Sequence, residues 1–182
     1  MQQTDLTTYS KGGFHPGAGF VKRMLWFCVN ACFFTTYFPF SGLKIWILRI
    51  FGARVGEGLV LKPAVNIKYP WKLTIGNHVW IGEKVWIDNL AQVTIGDHSC
   101  LSQGAYILCG NHNFRKSSFD LMTAPVTLEA GVWICARAVV CPGVICHSHA
   151  VLTTGSVTGG NLEAYSIYQG NPARRVKERK LE

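Results

Sequence analysis

The sequence predicts an all-β fold, a parallel β-helix in which short strands wind into three-sided coils. Aliphatic side chains recur every six residues, and a small residue usually follows four positions after each. A period of six matches neither an α-helix nor a long strand, whereas short strands joined by tight corners explain it. The positions run in groups of three, so three faces close one coil, and coils stack about 4.8 Å apart. The repeating positions are Val55, Leu61, Ile67, Ile75, Ile81, Ile87, Ile95, Leu101, Ile107, Leu128, Ile134, Val140, Cys146 and Leu152.

The composition indicates one globular domain with anionic partners. The chain has 182 residues, of which 48% are hydrophobic and 15% are charged, and this balance excludes a disordered protein. The formal charge of +8 favours phosphates, a membrane surface or nucleic acid. No basic-aromatic platform or nucleic-acid module is present, so we expect no nucleic-acid partner. Seven cysteines without a CxxC pair predict a reducing compartment and no disulfide framework.

Two segments precede the repeat, a polar arm at residues 1–19 and an apolar segment at residues 20–54. The arm carries no signal-peptide pattern, so we expect a cytoplasmic protein. No charge lies between Arg23 and Lys44, a distance near that of a bilayer span, but Pro39 and several polar residues interrupt it. We expect helices that cap the open end of the first coil. Helices on the membrane surface rank second and a true span third, and we favour capping with peripheral contact of the same helices with the inner face of the membrane.

The repeat extends over residues 55–172 and is interrupted once, by an excursion loop at residues 111–124. A loop that leaves a rigid scaffold is a usual place for function, and His112 stands at the root of this one. A lone loop histidine is ordinarily solvated, so the position alone does not establish a role. The final segment, residues 173–182, is strongly basic, and we expect it to form a short helix or a tail.

The motifs of the chain resemble those of the hexapeptide-repeat acyltransferases. The shared features are the hexads, N-H at 111–112, W-I at 133–134, P-G-V at 142–144 and the ending G-N-P-A-R-R-V-K-E-R. The phrases L-R-I-F-G-A-R-V-G and I-K-Y-P-W-K-L-T-I-G are most similar to the colanic acid biosynthesis acetyltransferases, makers of O-acetylated bacterial exopolysaccharide. The resemblance implies a left-handed β-helix and a homotrimer with active sites between subunits. It also implies acetyl transfer from acetyl-CoA to a sugar hydroxyl, without a metal.

The resemblance places the catalytic base at His112. A neutral imidazole can take the proton of a hydroxyl, and a positioned base typically accelerates such a reaction by about 10²–10⁴-fold. The group that orients the imidazole stays open among Asn111, Asn113 and a backbone carbonyl, with Asp88 as a further candidate.

The resemblance is less complete for the acceptor and the cofactor. The family's acceptor-binding asparagine falls on Gly82, so we expect Glu83, Asp88 or Asn89 to take over its contact. The predicted substrate-binding residues are Glu83, Asp88, Asn89, Asn111 and Asn113. The predicted cofactor-binding residues are Trp133, Ala136, Thr154, Gly155, Pro172, Arg174 and Arg179. Many relatives place a lysine after the last V-T, where this chain has Gly159. The basic final segment is therefore expected to supply the phosphate contacts.

Other functions remain open at this point. A zinc carbonic anhydrase on the same coil needs an H-x4-H pair, but Ser117 stands five residues after His112. His147 and His149 are expected to face solvent. A non-catalytic membrane-associated scaffold would keep the repeat without needing His112. An acyltransferase acting on a small non-sugar acceptor, a longer acyl group and an acyl-carrier-protein donor are further alternatives. The sugar acceptor is either a nucleotide sugar or a lipid-linked glycan.

Overall fold

Three sheets form the walls of a solenoid in the computed structural model, which describes residues 3–182, and all their strands pair in parallel except the last strand of the second sheet. The first sheet contains Arg54–Val55, Leu73–Ile75, Val93–Ile95, Val126–Leu128 and Ile145–Cys146. The second contains Val60–Leu61, Trp80–Ile81, Cys100–Leu101, Trp133–Ile134, Val151–Leu152, Ser166–Gly170 and Ala173–Glu178. The third contains Asn66–Ile67, Trp86–Asp88, Tyr106–Leu108, Val139–Val140 and Val157–Thr158. The prediction of a parallel β-helix is confirmed.

The six-residue repeat builds the interior of the solenoid. Ile75 is paired in register with Val55 on one side and Ile95 on the other, so that equivalent side chains stack from coil to coil. Every repeating position from Leu61 to Leu152 is buried, whereas Val55, at the end of the stack, is only half-buried. Removal of this apolar surface from water is the main stabilising contribution to the fold.

The apolar N-terminal segment forms two helices against the first coil. Helix α1 spans Phe20–Val29 and continues into a π-helical turn at Asn30–Phe34, and helix α2 spans Ser41–Ile50. Short 3₁₀ turns lie at Leu6–Thr8 and Pro70–Lys72. Within residues 3–182, no helix is both long and apolar enough to cross a membrane.

Side chains of these helices donate hydrogen bonds to backbone carbonyls of the first coil, on the side where no further coil follows. The Trp26 indole donates to the carbonyl of Ile67 at 2.9 Å, and the Arg49 guanidinium donates to that of Val55 at 3.0 Å. The fully buried Lys44 ammonium donates to the carbonyl of Lys62, and burial lowers the pKa of Lys44. An exposed sheet edge would otherwise invite pairing with other chains, so these contacts close the first coil.

The basic C-terminal segment is a strand, which corrects the expectation of a helix or tail at residues 173–182. Ala173–Glu178 runs antiparallel to Ser166–Gly170, and this C-terminal hairpin extends the second sheet beyond Val151–Leu152. The guanidinium of Arg179 donates to the carbonyls of Gly131 and His149 at 2.9 and 3.1 Å. Strand pairing satisfies the backbone hydrogen-bonding groups of the last coil, and the cations along the outer strand keep that edge from pairing with other strands.

Candidate active site

The excursion loop is an ordered hairpin that leaves the coil between the third and first sheets. Gly110–His112 pairs antiparallel with Leu121–Thr123, with His112 opposite Leu121. At the root, the amide of Ala124 donates to the carbonyl of Cys109 at 3.0 Å. The tip is closed by an ion pair of 2.9 Å between Lys116 and Asp120. His112 is therefore held by regular backbone pairing.

A backbone carbonyl orients the imidazole of His112. Its Nδ1 lies 3.0 Å from the carbonyl oxygen of Phe119, and its ring stacks on the Phe119 ring at 4.4 Å with an interplanar angle of 5°. A proton on Nδ1 satisfies this carbonyl, which leaves the lone pair on Nε2. Phe119 has a φ of 50°, a left-handed conformation that is unusual for a bulky residue. Such strain is often found at functional sites.

The other candidate orienting groups are engaged elsewhere. The Asn111 side-chain oxygen accepts from the backbone amide of His112 at 2.8 Å, and that of Asn113 accepts from Arg115 at 3.1 Å. Both amides thus stabilise the hairpin backbone. The Asp88 carboxylate forms an ion pair of 2.9 Å with Lys68.

The N-terminal arm lies across this hairpin. The amide of Asp5 donates to the carbonyl of Ser117 at 2.9 Å, and the amide of Leu121 donates to that of Ser10 at 3.0 Å. The Tyr9 ring lies 5.8 Å from the imidazole of His112 at an angle of 50°. Sequence reasoning assigned no role to residues 1–19, of which Met1 and Gln2 lie outside the described residues. The aromatic side chain of Tyr9 in a polar segment was the available signal.

A cleft of about 370 Å³ opens beside His112 between the arm, the hairpin and the first two coils. Of the predicted acceptor residues, Asp88 and Asn111 line it together with His112. The arm contributes Tyr9, Lys11 and Phe14, and the coils contribute Lys68, Tyr69 and Leu90. Asn113 lies next to His112 in the hairpin and is half-buried. The cleft thus combines an imidazole, charged groups and aromatic walls, which is typical of a small-molecule site.

Two predicted acceptor residues are not brought to this cleft. The Asn89 side chain is fully buried and bonds the backbone of Tyr69 and Lys72, so that it stabilises the corner of the coil. Glu83 is exposed at a corner between the second and third sheets, whereas His112 follows the corner between the third and first.

The predicted cofactor residues lie mainly along another edge of the solenoid. Trp133 is 43% exposed on the outer face of the second sheet, where its indole donates to the Ser102 hydroxyl at 2.9 Å. Ala136 and Gly155 occupy successive corners between the second and third sheets, joined by a hydrogen bond of 2.9 Å, and Thr154 is exposed beside Gly155. No atom lies within 4 Å of a Cβ placed on Gly155, so this edge is open.

The C-terminal residues separate into two groups. Pro172 and Arg174 line a cleft of about 310 Å³ beside the C-terminal hairpin. Arg179 is half-buried, and its guanidinium is already bonded to two backbone carbonyls. Arg174 is therefore available to a ligand, while Arg179 anchors the end of the chain.

Among residues 3–182, the side chains around His112 form neither a metal site nor a reactive thiol. In the described part of the chain, residues 3–182, no three histidine, cysteine or acidic side chains are grouped as metal ligands. His147 lies 3.0 Å from Glu129, and His149 stacks on Tyr165, so neither simply faces solvent as expected. Burial raises the pKa of the Cys109 thiol to about 11, which keeps it protonated at neutral pH.

Known proteins resemble this chain in sequence and in fold. No family model matches it. It is 33% identical over 180 residues to WcaF of Escherichia coli K12, whose name describes a colanic acid biosynthesis acetyltransferase, covering 96% of this chain and 97% of the relative. It is 27% identical over 130 residues to the galactoside O-acetyltransferase of the same organism, covering 69% and 64% of the two chains.

A solved structure shares the fold. The hexapeptide-repeat-containing acetyltransferase of Vibrio cholerae O1 biovar eltor, solved with acetyl coenzyme A, superposes with a TM-score of 0.80 at 21% identity. The match covers 96% of this chain and 98% of the other.

Proposed function

The chain belongs to the hexapeptide-repeat acyltransferases and is similar along its length to a colanic acid biosynthesis acetyltransferase, and we propose that it O-acetylates a sugar in bacterial exopolysaccharide synthesis. The donor is acetyl-CoA, which the similar Vibrio structure contains. The names of WcaF and of the galactoside O-acetyltransferase support a glycan hydroxyl as the acceptor.

The contact between His112 and Phe119 is the observation that carries this proposal. With Nδ1 engaged by the carbonyl at 3.0 Å, Nε2 is left to accept the proton of the acceptor hydroxyl. The hydroxyl oxygen then bonds to the acetyl carbon while the carbon–sulfur bond of the thioester breaks. The proton held by His112 goes to the departing thiolate, so the products are an acetyl ester and a free thiol. His112 returns to its neutral form.

The residues along the open edge would hold the donor. Acetyl-CoA supplies an activated acetyl group at one end of its pantetheine chain, and its phosphates lie at the other end. Ala136, Thr154 and Gly155 offer a backbone edge for the pantetheine chain, and Trp133 would border the thioester. The exposed Arg174 is available to a phosphate, where a charge-assisted hydrogen bond is favoured.

A homotrimer with active sites between subunits would join these two regions. His112 and the donor edge follow different corners of the coil, so within one chain they face different directions. The outer faces of the second and third sheets carry exposed tryptophans, Trp80, Trp133 and Trp86. Aromatic side chains are enriched at protein interfaces, and a neighbouring copy would bring its donor edge to this chain's His112.

The helical cap supports peripheral contact with the inner face of the bacterial membrane. Phe27 and Trp46 are 64% and 60% exposed, and other apolar side chains of α1 and α2 are exposed beside them. No acidic residue lies between Asp5 and Glu57, while Arg23 and Arg49 are exposed cations. Apolar and basic side chains together suit the interface of an anionic bilayer. Such contact should weaken as salt is raised, and vesicle sedimentation would measure it.

Thiol release from acetyl-CoA tests the proposed function. The full-length protein should release CoA with one class in a panel of nucleotide sugars, lipid-linked repeat units and simple glycosides. A protein that releases no thiol with any of them, although it is folded and binds CoA, would contradict the proposal and favour the scaffold alternative.

A further inference from the structure

Two lysines from distant parts of the chain meet at the cleft beside His112. Lys11 comes from the N-terminal arm, and Lys68 follows the strand Asn66–Ile67. Asp88, the carboxylate among the lining residues, forms an ion pair with Lys68 and is 15% exposed. No carboxylate among residues 3–182 lies within ion-pair distance of Lys11. The cleft therefore carries an excess of positive charge, which favours an anionic ligand.

A second cleft continues the first along the surface. Its volume is about 350 Å³, and it shares Lys68 and Tyr69 with the cleft of His112. Its far side is lined by Arg23 of α1 together with Met24 and Phe27. A ligand that extends from His112 past Lys68 would thus meet a further cation and then apolar side chains.

The arm is held in place over this surface by contacts in which Lys11 and Lys68 take no part. The Trp71 indole donates to the carbonyl of Pro16 at 2.6 Å, and the Lys72 ammonium donates to that of His15 at 2.7 Å. These contacts fix the segment that carries Tyr9, Lys11 and Phe14. The arm is therefore a preformed wall of the cleft.

We propose that the N-terminal arm completes the acceptor site and that Lys11, with Lys68, binds the phosphates of a glycosyl diphosphate. This inference rests on the proposed acetyl transfer to a sugar. The reacting ring lies among Tyr9, Phe14 and Tyr69 near His112, and the diphosphate extends toward the two lysines. Lysine binds phosphate as a point charge, so two of them match a group with two phosphates. Nucleotide sugars and isoprenoid-linked sugars share this chemistry.

Replacing Lys11 by methionine tests the assignment, since it removes the charge and keeps an apolar stem. The KM of a glycosyl diphosphate acceptor should rise by about tenfold, which corresponds to the lower end of the free-energy range for a hydrogen bond to a charged group. The KM values of acetyl-CoA and of the methyl glycoside of the same sugar should not change. Arg54→Met is the matched control, because Arg54 is exposed on the first sheet, away from the cleft. Activity of the wild type on the methyl glycoside tests the proposed function separately.

Binding measurements complete the test without turnover. Calorimetry with inorganic pyrophosphate should show binding to the wild type and weaker binding to Lys11→Met. Competition by uridine diphosphate against farnesyl diphosphate then distinguishes the nucleotide source from the isoprenoid source. Equal binding of pyrophosphate to both proteins would overturn the proposal. An equal KM for the diphosphate and neutral acceptors in the wild type would also overturn it. The same holds if Lys11→Met raised the KM of a uronate glycoside by a similar factor, because that acceptor carries a carboxylate and no phosphate.

Discussion

The coil interior and the His112 cleft are built by different means. In the interior, one type of side chain repeats at one spacing, and each buried residue, such as Ile81 or Ile107, packs on its equivalents in neighbouring coils. The cleft is formed where two segments outside the repeat, the arm and the hairpin, meet the coils, and these two segments are joined by contacts between residues as distant as Asp5 and Ser117. Stability is therefore shared among many equivalent residues, whereas the proposed chemistry depends on a few unique ones.

Removal of the His112 imidazole should have the largest effect on activity and little effect on stability. His112→Ala should lower the rate of acetyl transfer by about two to four orders of magnitude, because it removes the proposed base. Thermal unfolding should change little, since His112 is only half-buried in a surface hairpin. Single-turnover kinetics and calorimetry would measure the two quantities.

A second histidine serves as the control for this variant. His78 is exposed at a corner between the first and second sheets and has a φ of 54°, a conformation that asparagine tolerates. His78→Asn should keep wild-type turnover. If His112→Ala retained near-wild-type activity, His112 would not be the base.

A core substitution should produce the opposite pattern. Ile107→Ala removes a fully buried side chain from the last coil before the excursion, and it should lower the free energy of unfolding by about 2–5 kcal/mol. Ile145→Ala is the control, because Ile145 is 36% exposed on an outer face. Urea titration would compare the two. Comparable small losses would show that the interior is not the main stabilising region.

The interior could be predicted from the sequence because its period is local and repeated. Each of the residues Ile75, Ile81 and Ile87 carries the same information, so the pattern survives single exceptions such as Cys146. His112 could be located because it stands where the period breaks. The conformation of the excursion loop could not be predicted, since the Phe119 carbonyl is brought to His112 only by the pairing of the hairpin.

Residues outside the repeat were harder to place for physical reasons. The polar arm contacts the hairpin through backbone hydrogen bonds, which leave no mark on side-chain composition. The final strand was predicted as a helix or tail because its outward cations conceal an edge strand. Asn89 looked available, but its amide is used to close a corner of the coil.

Two arginines near the C-terminus are expected to differ in the same way, one affecting activity and the other stability, with smaller effects. Arg174→Ala should raise the KM of acetyl-CoA several-fold at low salt and less at high salt, because an exposed charge on a phosphate is screened. Arg179→Ala should instead lower the melting temperature, because it removes hydrogen bonds to the carbonyls of Gly131 and His149. Steady-state kinetics and thermal unfolding separate the effects. If both variants changed the KM alike, Arg179 would also belong to the donor site.

The smallest expected effect concerns a charged corner of the coil, where surface chemistry supports the repeating core. Hydrogen bonds from Ser148 and His147 lower the pKa of Glu129, so its ionised form is favoured in the folded state. The resulting stability is complete at pH 7 and is lost as the pH falls from 4.5, the ordinary value, through the lowered folded pKa. Since both side chains of the pair are more than a third exposed, Glu129→Gln should cost at most about 1 kcal/mol at pH 7. Urea unfolding of both proteins at pH 7 and pH 3 would measure this difference. A difference that persisted unchanged at pH 3 would assign the effect to side-chain packing and not to the carboxylate charge.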